Sequence, residues 1–294
     1  MMDGNLRRYR AFVEISDLLS FSEAAKTIGV SQSSISRMIS DLEEEWGFRL
    51  FERDRNGVSL TKEGEEMLPI ARKLCADASL LDEKVNGIHN VEKGHIVIGV
   101  FSSVATHWLP NIIRRFGEEH PDISYELLLG NYSELREWVS GDRVDFAFTS
   151  ASACGDADII PIEDDELMIV IPKDNPYADY DVFPMKALTE FPFMLLKIDE
   201  DTNIDRMFRD ENLEPDIRLR TWDDYSIMSM VENGLGIGIL PSLILRRIPY
   251  DICVKRLERP IYRKICIAKR KGKILSMAAQ GFLKYVRYRD EHIG

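Results

Sequence analysis

A patch of small hydroxyl side chains and one guanidinium lies along one face of a helix predicted near the N-terminus of the chain. At about 100° per residue these side chains fall within a narrow arc, opposite an apolar side that includes Ile35 and Ile39. They are Ser33, Ser36, Arg37 and Ser40. Hydroxyls and a guanidinium can bond phosphate oxygens and base edges, and small residues allow close approach to another surface. The face therefore indicates either a nucleic-acid contact or a serine-rich solvated surface.

Three short helices must position this face, and single capping residues or glycines mark where one helix ends and the next begins. The first is predicted over Leu6–Ser16, and the second opens at Ser22, whose hydroxyl can cap free N–H groups. Gly29 ends the second helix, and Ser31 caps the third, which runs to about Trp46. So tight a glycine-containing turn between two helices is typical of a helix-turn-helix.

A β-hairpin is predicted directly after these helices. Asn56 and Gly57 stand between flanks of alternating apolar residues, which is a strong hairpin signal. A hairpin that follows a helix-turn-helix is a wing. Arg53 and Arg55 lie just before its tip, where a guanidinium can reach a phosphate or a minor groove, although arginines near a turn are ordinarily only solvated.

One long helix is predicted from Thr61, and its apolar residues form an unbroken heptad seam. The seam residues are Met67, Ala71, Leu74, Ala78, Leu81, Val85 and Ile88. A helix cannot bury such a seam alone, so the seam packs either on its own domain or on a second chain. Because the helix stands between a small module and a larger one, a dimer is favoured. Pro69 should kink or delay the helix, since it removes the bond to the carbonyl of Glu65.

Beyond Gly94 the predicted strands and helices alternate, which is typical of a mostly parallel sheet with helices on its faces. The first set consists of strands at 95–101, 123–129 and 145–149 and helices at 108–119 and 133–140. The second set consists of strands at 167–172, 193–197 and 236–240 and helices near 203–212 and 225–233. A strand at 263–268 and a helix at 276–287 close the chain. Two α/β lobes imply a cleft between them.

Composition limits the classes of protein that this chain can be. Its 294 residues include 38 Lys and Arg against 50 Asp and Glu, a net charge of −12. This balance argues against nucleic-acid binding through bulk charge. The 45% apolar and 30% charged residues describe an ordinary globular protein with two or three compact units. Because no run approaches the roughly 18 apolar residues of a membrane span, we expect no membrane association and a cytoplasmic location.

Cysteine and motif content point away from metal, disulfide and enzyme chemistry. Cys75, Cys154, Cys253 and Cys266 are dispersed, which predicts reduced and mostly buried thiols. No GxSxG, GxxxxGK[ST] or HExxH motif is present, and the glycine-rich run 234–238 precedes a strand, as packing glycines do. We therefore expect no catalytic residues, no metal and no cofactor other than a small-molecule effector.

Two further features have ordinary explanations. Lys197, flanked by apolar residues, could form a Schiff base, but a solvent-facing lysine at the end of a strand is far commoner. The basic residues over 246–273 could form a second nucleic-acid surface. They lack interleaved aromatic residues, so pairing with acidic residues between lobes or subunits is preferred. A DNA organiser without a ligand would leave the two lobes without a role.

The stretch over residues 21–64 resembles the DNA-binding module of the LysR-type bacterial transcriptional regulators. It reads FSEAAKTIGVSQSSISRMISDLEEEWGFRLFERDRNGVSLTKEG, with the family's Ala-Ala pair, Ser-Gln helix start, Ile-Ser-Arg core and Leu-Phe-x-Arg wing. Downstream, Trp108-Leu109-Pro110, Val144 to Phe148 and Gly234 to Pro241 are similar to landmarks of its effector domain, so the resemblance covers essentially the whole chain. Ser33 stands where the family often has proline, a change that keeps the helix start and adds a hydroxyl donor.

This resemblance implies specific contact residues. Those for DNA are Gln32, Ser33, Ser34, Ser36 and Arg37 in the major groove and Arg53 and Arg55 on the wing. Effectors of the family, often carboxylates or aromatic acids, bind between the two lobes. The corresponding candidates here are Ser102, Ser103, Asn131, Thr149, Thr202 and Asn203. Most of them follow strands or lie at helix N-termini, where α/β sheets place ligands and anions, but each is also a plausible cap or turn residue.

The expected fold class is α/β with an N-terminal winged helix-turn-helix, a long linker helix and a two-lobed effector domain like a periplasmic binding protein. The expected ranges are 1–60 for DNA binding, 61–92 for the linker and 93–294 for the effector domain. Lobe I takes about 94–161 and 267–294, and lobe II takes about 162–266. The resemblance implies a ligand-responsive regulator that binds dyad-symmetric double-stranded DNA as a dimer or tetramer and contacts RNA polymerase.

Overall fold

The computed structural model describes residues 2–54, 57–87, 94–196 and 203–290. The described chain forms one compact unit mainly from residues 2–87 and a second mainly from residues 94–290. Within these ranges, every helix is too short or too polar to cross a membrane. The elements of the first unit are α1 (Met2–Leu18), α2 (Phe21–Ile28), α3 (Gln32–Trp46), β1 (Phe51–Asp54), β2 (Gly57–Leu60) and α4 (Lys62–Gly87).

Helices α1, α2 and α3 form the predicted helix-turn-helix around one apolar core, in which Phe12, Ile35 and Leu42 are fully buried. Gly29 has a left-handed φ of 76° and ends α2, and the hydroxyl of Ser31 accepts the N–H of Ser34 at the start of α3, as predicted. The predicted cap of α2 was wrong.

Helix α2 begins one residue earlier than Ser22 allows. The hydroxyl of Ser20 accepts the N–H of Glu23, and Ser22 lies inside the first turn. Both serines stand close to the helix start, and only the extended backbone of Ser20 gives a hydroxyl the geometry of a cap. The misplacement changes no other element.

Strands β1 and β2 form the predicted antiparallel hairpin, with Asp54 opposite Gly57. Glu43, which belongs to α3, holds this wing in place: its carboxylate accepts the N–H groups of Leu50 and Phe51 at 2.7 and 3.3 Å. One acidic residue near the end of α3 therefore anchors the wing.

Helix α4 runs without interruption through Pro69. Its predicted seam divides in two. Ala71 is 5% exposed and belongs to the core of the first unit, and Met67 packs against that core. Leu74 and Leu81 are 47% and 63% exposed. The N-terminal part of the seam thus packs on its own domain, the alternative that the sequence left open.

The second unit contains the strands that the sequence predicts and three further ones, so strands and helices alternate regularly only in its first part. Its helices are α5 (Ser102–His107), α6 (Leu109–Glu119), α7 (Tyr132–Ser140), α8 (Asn203–Asp210), α9 (Asp224–Glu232) and α10 (Met277–Tyr285). Its strands are β3 (Gly94–Val100), β4 (Ile123–Leu129), β5 (Phe146–Ser150), β6 (Asp158–Pro172), β7 (Val182–Phe183), β8 (Phe193–Leu196), β9 (Ile217–Thr221), β10 (Ile237–Pro241), β11 (Ile252–Leu257) and β12 (Ile261–Lys269).

The sheet is mixed rather than mostly parallel, which corrects the sequence expectation. Strands β3, β4 and β5 pair in parallel, and so do β8, β9 and β10. The long strands β6 and β12 run antiparallel to each other and to the strands beside them, and they join the two parallel sets. The predicted fold class, a winged helix-turn-helix followed by a two-lobed α/β domain, is confirmed.

Three strands were missed from the sequence. In β9 the residues alternate between half-buried and exposed, with Arg218 and Arg220 on the exposed side. Strand β11 is partly buried and carries Lys255 and Arg256, and β7 has only two residues. Edge positions and charged outward faces weaken the apolar signal that identifies a buried strand.

Candidate DNA-binding face and effector cleft

The predicted DNA-binding side chains of α3 lie on its open face. Gln32, Ser33, Ser34 and Arg37 are exposed, and Ser36 is half-buried. The hydroxyl of Ser31 lies 2.9 Å from that of Ser33 and 2.8 Å from that of Ser34, so the first turn presents a group of hydroxyls beside the free N–H groups of the helix N-terminus. Within the described part of the chain, Arg37 forms no ion pair.

Two acidic residues of α3 have partners of their own. Glu45 pairs with Arg8 at 2.9 Å, and Glu43 binds the backbone of the wing. The backbone of Arg53 lies in β1, while Arg55 falls outside the described residues. The backbone position of Arg53 in the wing is therefore as predicted, while the DNA contacts of Arg53 and Arg55 stay a prediction.

In the second unit, the first two effector candidates are already engaged by charged residues. The hydroxyl of Ser102 donates to a carboxylate oxygen of Asp224 at 2.7 Å, and that of Ser103 accepts from Arg263 at 2.7 Å. Ser102 and Ser103 open α5 in lobe I, whereas Asp224 opens α9 in lobe II. The two lobes thus meet through hydrogen bonds at this point.

Arg263 is the centre of this arrangement, which we call the interlobe cluster (Ser102, Ser103, Tyr132, Asp165, Asp224 and Arg263). Its guanidinium pairs with Asp165 at 2.7 Å, contacts the hydroxyl of Tyr132 at 3.3 Å and lies 4.7 Å from the ring centre of Phe101. The second oxygen of Asp165 accepts the hydroxyl of Ser242 at 2.7 Å and the N–H of Leu243 at 3.0 Å. The ion pair between Asp165 of β6 and Arg263 of β12 therefore makes hydrogen bonds to both lobes. Arg263 binds Ser103 at the start of α5, and Asp165 binds the residues that follow β10.

Burial gives the cluster its electrostatic character. Arg263 and Asp165 are 6% and 3% exposed, and such a pair is costly to break because one charge would be left unpaired in the interior. Burial raises the pKa of Asp224, against the opposing effects of the Ser102 hydrogen bond and the Arg263 charge. The position at the start of α5 where an anionic ligand was expected is thus occupied by an internal carboxyl group.

Asn131 and Thr149 follow the strands as predicted, but their surroundings differ. The amide oxygen of Asn131 accepts the N–H of Glu134 at 2.9 Å, and the Glu134 carboxylate accepts the N–H of Asn131 at 2.8 Å. This is a reciprocal helix cap, the structural role open to Asn131. Thr149 is 2% exposed, and its hydroxyl has no hydrogen-bond partner within the described residues.

Asn203, the candidate from lobe II, lies at a separate cavity of about 340 Å³ beneath α8. Its amide donates to the carbonyl of Tyr262 at 2.8 Å, and Arg206, Asp210 and Arg259 also line the space. Thr202 lies outside the described residues. The structure therefore brings Ser102 and Ser103 together, and it places Asn131 and Asn203 in other settings.

Several basic residues over 246–273 pair with acidic residues of the same chain, mostly within one lobe rather than between lobes or subunits as the sequence favoured. Arg256 makes two hydrogen bonds of 2.9 Å with Glu166, and Lys269 binds Asp158 at 2.6 Å. Further pairs join Arg246 to Asp290, Arg259 to Glu211 and Lys273 to Asp145. A second nucleic-acid surface is not needed to explain them.

Sequence reasoning missed Tyr132, Asp165, Asp224 and Arg263 as members of the site. Arg263 was counted with the basic cluster, and Asp165 stands in an acidic run at 163–166. Within this run nothing in the sequence distinguishes Asp165, which is buried, from Asp164, which is exposed. Only the pairing of β6 with β12 places Asp165 opposite Arg263.

The fold and the site together define a class of protein. A winged helix-turn-helix with an open hydroxyl-rich face, followed by a two-lobed α/β domain whose lobes meet at polar residues, is the architecture of a DNA-binding regulator that responds to a small molecule.

Comparison with known proteins identifies the family. Residues 6–65 match the bacterial regulatory helix-turn-helix protein family, lysR, and residues 89–290 match the LysR substrate binding domain. The chain therefore belongs to the LysR family of transcriptional regulators, and it is a regulator and not an enzyme. It is 30% identical to an uncharacterised HTH-type transcriptional regulator, YwbI of Bacillus subtilis, over 96% of each chain.

Solved structures share the fold. Full-length OxyR C199D from Pseudomonas aeruginosa has a TM-score of 0.77 at 22% identity, covering 96% of this chain and 94% of that one. Full-length CbnR in complex with its target DNA has a TM-score of 0.66 at 21% identity, covering 96% and 98%. The two-part architecture thus extends over nearly the whole of these proteins.

Proposed function

We propose that this regulator binds its DNA sites through the open face of α3 and the wing, and that an organic acid between the lobes controls this binding. The observation that carries the DNA part is the exposed face of α3, where Arg37 lies beside a group of exposed hydroxyls and pairs with no acid among the described residues. A solvated surface helix usually carries Glu and Lys there, whereas these side chains suit phosphates and base edges.

Replacing Arg37 with alanine tests the DNA-binding face. We expect Arg37→Ala to weaken operator binding about tenfold or more in a gel-shift assay, because a good arginine contact to DNA contributes about 1–3 kcal/mol. The melting temperature should not change, since the side chain is exposed. Arg218→Ala, which removes the same charge from an exposed position in β9, is the matched control. Equal affinity of Arg37→Ala and wild type would contradict the assignment.

The effector part rests on the interlobe cluster and on Thr149. A carboxylate that enters between the lobes would compete with Asp224 for the hydroxyl of Ser102 and would lie near the positive charge of Arg263. The hydroxyl of Thr149, which has no hydrogen-bond partner in the part of the chain that the structure describes, supports a ligand nearby, since a buried hydroxyl without a partner costs about 1–3 kcal/mol. We propose a carboxylate or aromatic acid as the effector, with no other cofactor; the described residues contain no group of metal-binding side chains.

The substitution Thr149→Val tests this location without removing a hydrogen bond present in the structure. Valine has nearly the same shape, so the ligand-free protein should melt at the same temperature or higher. Aromatic and aliphatic carboxylic acids should raise the melting temperature of wild type and of Thr189→Val, whose side chain is exposed, but not that of Thr149→Val. A full ligand-induced shift in Thr149→Val would refute the location, and no shift of wild type with any acid would refute the ligand class.

We further propose that the protein acts in the cytoplasm as a dimer or as a tetramer built from two dimers, on dyad-symmetric promoter DNA, and that it contacts RNA polymerase. The exposed residues Leu74 and Leu81 on α4 support self-association. An effector that binds one arrangement of the lobes more tightly shifts the population toward it, and this changes how paired DNA-binding modules meet the two half-sites.

A further inference from the structure

Two cysteines that are far apart in the sequence lie side by side in the second unit. The sulfur atoms of Cys154 and Cys266 are 3.2 Å apart, although 112 residues separate them. Cys154 follows the short 3-10 turn Ala151–Ala153 after β5, and Cys266 lies in β12, which pairs directly with β5. Both residues are free thiols in the structure. We call Cys154 and Cys266 the thiol pair.

We propose that the thiol pair is an oxidation site, which a peroxide converts reversibly into an intramolecular disulfide. The sulfur atoms need to approach from 3.2 Å to the bonding distance of about 2.05 Å. The backbone on both sides can supply this movement. Cys154 lies beyond the end of the strand ladder, and the register of β12 against β6 is irregular between Ile265 and Cys266.

The environment assigns a different role to each thiol. The hydrogen bond between the two sulfur atoms lowers the pKa of Cys154, and the same bond together with burial raises the pKa of Cys266. Cys154 is also the more accessible of the two, at 7% exposed against 1%. The thiolate is the reactive form of cysteine, so Cys154 is the residue that a peroxide meets first.

The reaction proceeds in two balanced steps. The Cys154 thiolate attacks one oxygen of hydrogen peroxide, the O–O bond breaks, and a sulfenic acid forms with release of hydroxide, which a proton converts to water. The Cys266 sulfur then attacks the Cys154 sulfur, the S–O bond breaks, and a second water leaves as the disulfide forms. Two thiols lose two electrons and two protons in total, and one peroxide is reduced to two waters.

The other two cysteines provide an internal comparison. Cys75 lies on α4 and Cys253 on β11, and neither has another cysteine sulfur as a described hydrogen-bond partner. Burial raises the pKa of Cys75, which makes it a poor nucleophile. We therefore expect peroxide to oxidise the thiol pair before Cys75 and Cys253, whereas non-specific oxidation would not favour the pair.

The test measures free thiols by mass spectrometry. Reduced full-length protein is treated with hydrogen peroxide, unfolded in an alkylating reagent, and digested without reductant. We expect a cross-linked peptide containing Cys154 and Cys266, two alkylated thiols at Cys75 and Cys253, and recovery of all four thiols after dithiothreitol.

The variant Cys75→Ala/Cys253→Ala should behave in the same way and should lose two hydrogen masses on oxidation. In that background, Cys154→Ser should leave Cys266 free to be alkylated. The proposal is overturned if wild-type Cys154 and Cys266 both stay alkylatable at peroxide concentrations that oxidise Cys75. It is also overturned if Cys154 gains oxygen atoms while Cys266 remains free. Because the wild-type experiment decides the question alone, a variant that fails to fold does not affect it.

Discussion

The carboxyl group of Asp224 lies where the two lobes of the effector domain meet. It accepts a hydrogen bond from Ser102 in the opposite lobe, and burial raises its pKa. The carboxyl of an aspartate in an unfolded chain has a pKa of about 3.9. Between that value and the raised pKa, the folded protein holds one more proton at Asp224 than the unfolded chain does. The contribution of this carboxyl to stability is therefore complete below about pH 3.9 and is lost as the pH rises through the raised pKa.

The variant Asp224→Asn makes this pH dependence measurable. An asparagine oxygen can still accept the hydroxyl of Ser102, but it does not ionise. We expect the melting temperature of Asp224→Asn, relative to wild type, to improve progressively as the pH rises from about 4 toward neutrality. If the melting temperatures of the two proteins differ by the same amount at every pH in this range, burial does not raise the pKa of the Asp224 carboxyl.

At the scale of elements, local signals predicted much of the fold. The turn at Gly29, the cap at Ser31 and the Asn56-Gly57 pair act within a few residues, so the helix-turn-helix and the wing follow from the sequence. The interlobe cluster does not follow from the sequence in this way. Its members Ser103, Asp165 and Arg263 come from separate elements, and the antiparallel pairing of β6 with β12 is not written in the apolar pattern of either strand.

Helix α4 gives the prediction that belongs to this scale. Leu81 is 63% exposed on the heptad seam, so an aspartate there should place a charge in the proposed dimer interface without disturbing the core of the first unit. We expect Leu81→Asp to dissociate the assembly in analytical ultracentrifugation by at least tenfold in dissociation constant, with the melting temperature of the monomer retained.

Lys73→Asp is the matched control for Leu81→Asp, because it introduces the same side chain at an exposed position of α4 outside the seam. It should leave the oligomeric state unchanged. If Leu81→Asp sediments as wild type does, the exposed part of the seam is not the dimer contact.

At the scale of the whole molecule, the net charge of −12 constrains how the regulator holds DNA. Even residues 1–93 carry 13 Lys and Arg against 17 Asp and Glu, a net charge of −4. Two of these acids, Glu43 and Glu45, are bound to the wing backbone and to Arg8. Placement therefore matters more than the total, and an acidic body should suppress binding to DNA of arbitrary sequence.

The salt dependence of operator binding tests this charge argument. If Arg37, Arg53 and Arg55 are the main phosphate-reaching cations in each subunit, a bound dimer neutralises about six phosphates, and log K should fall with log salt at a slope of about −5. The variant Arg37→Ala should reduce that slope by up to about 2, because a dimer loses two cations. A wild-type slope of about −10 would mean that other basic residues reach the DNA backbone and that the acidic composition does not limit phosphate contact.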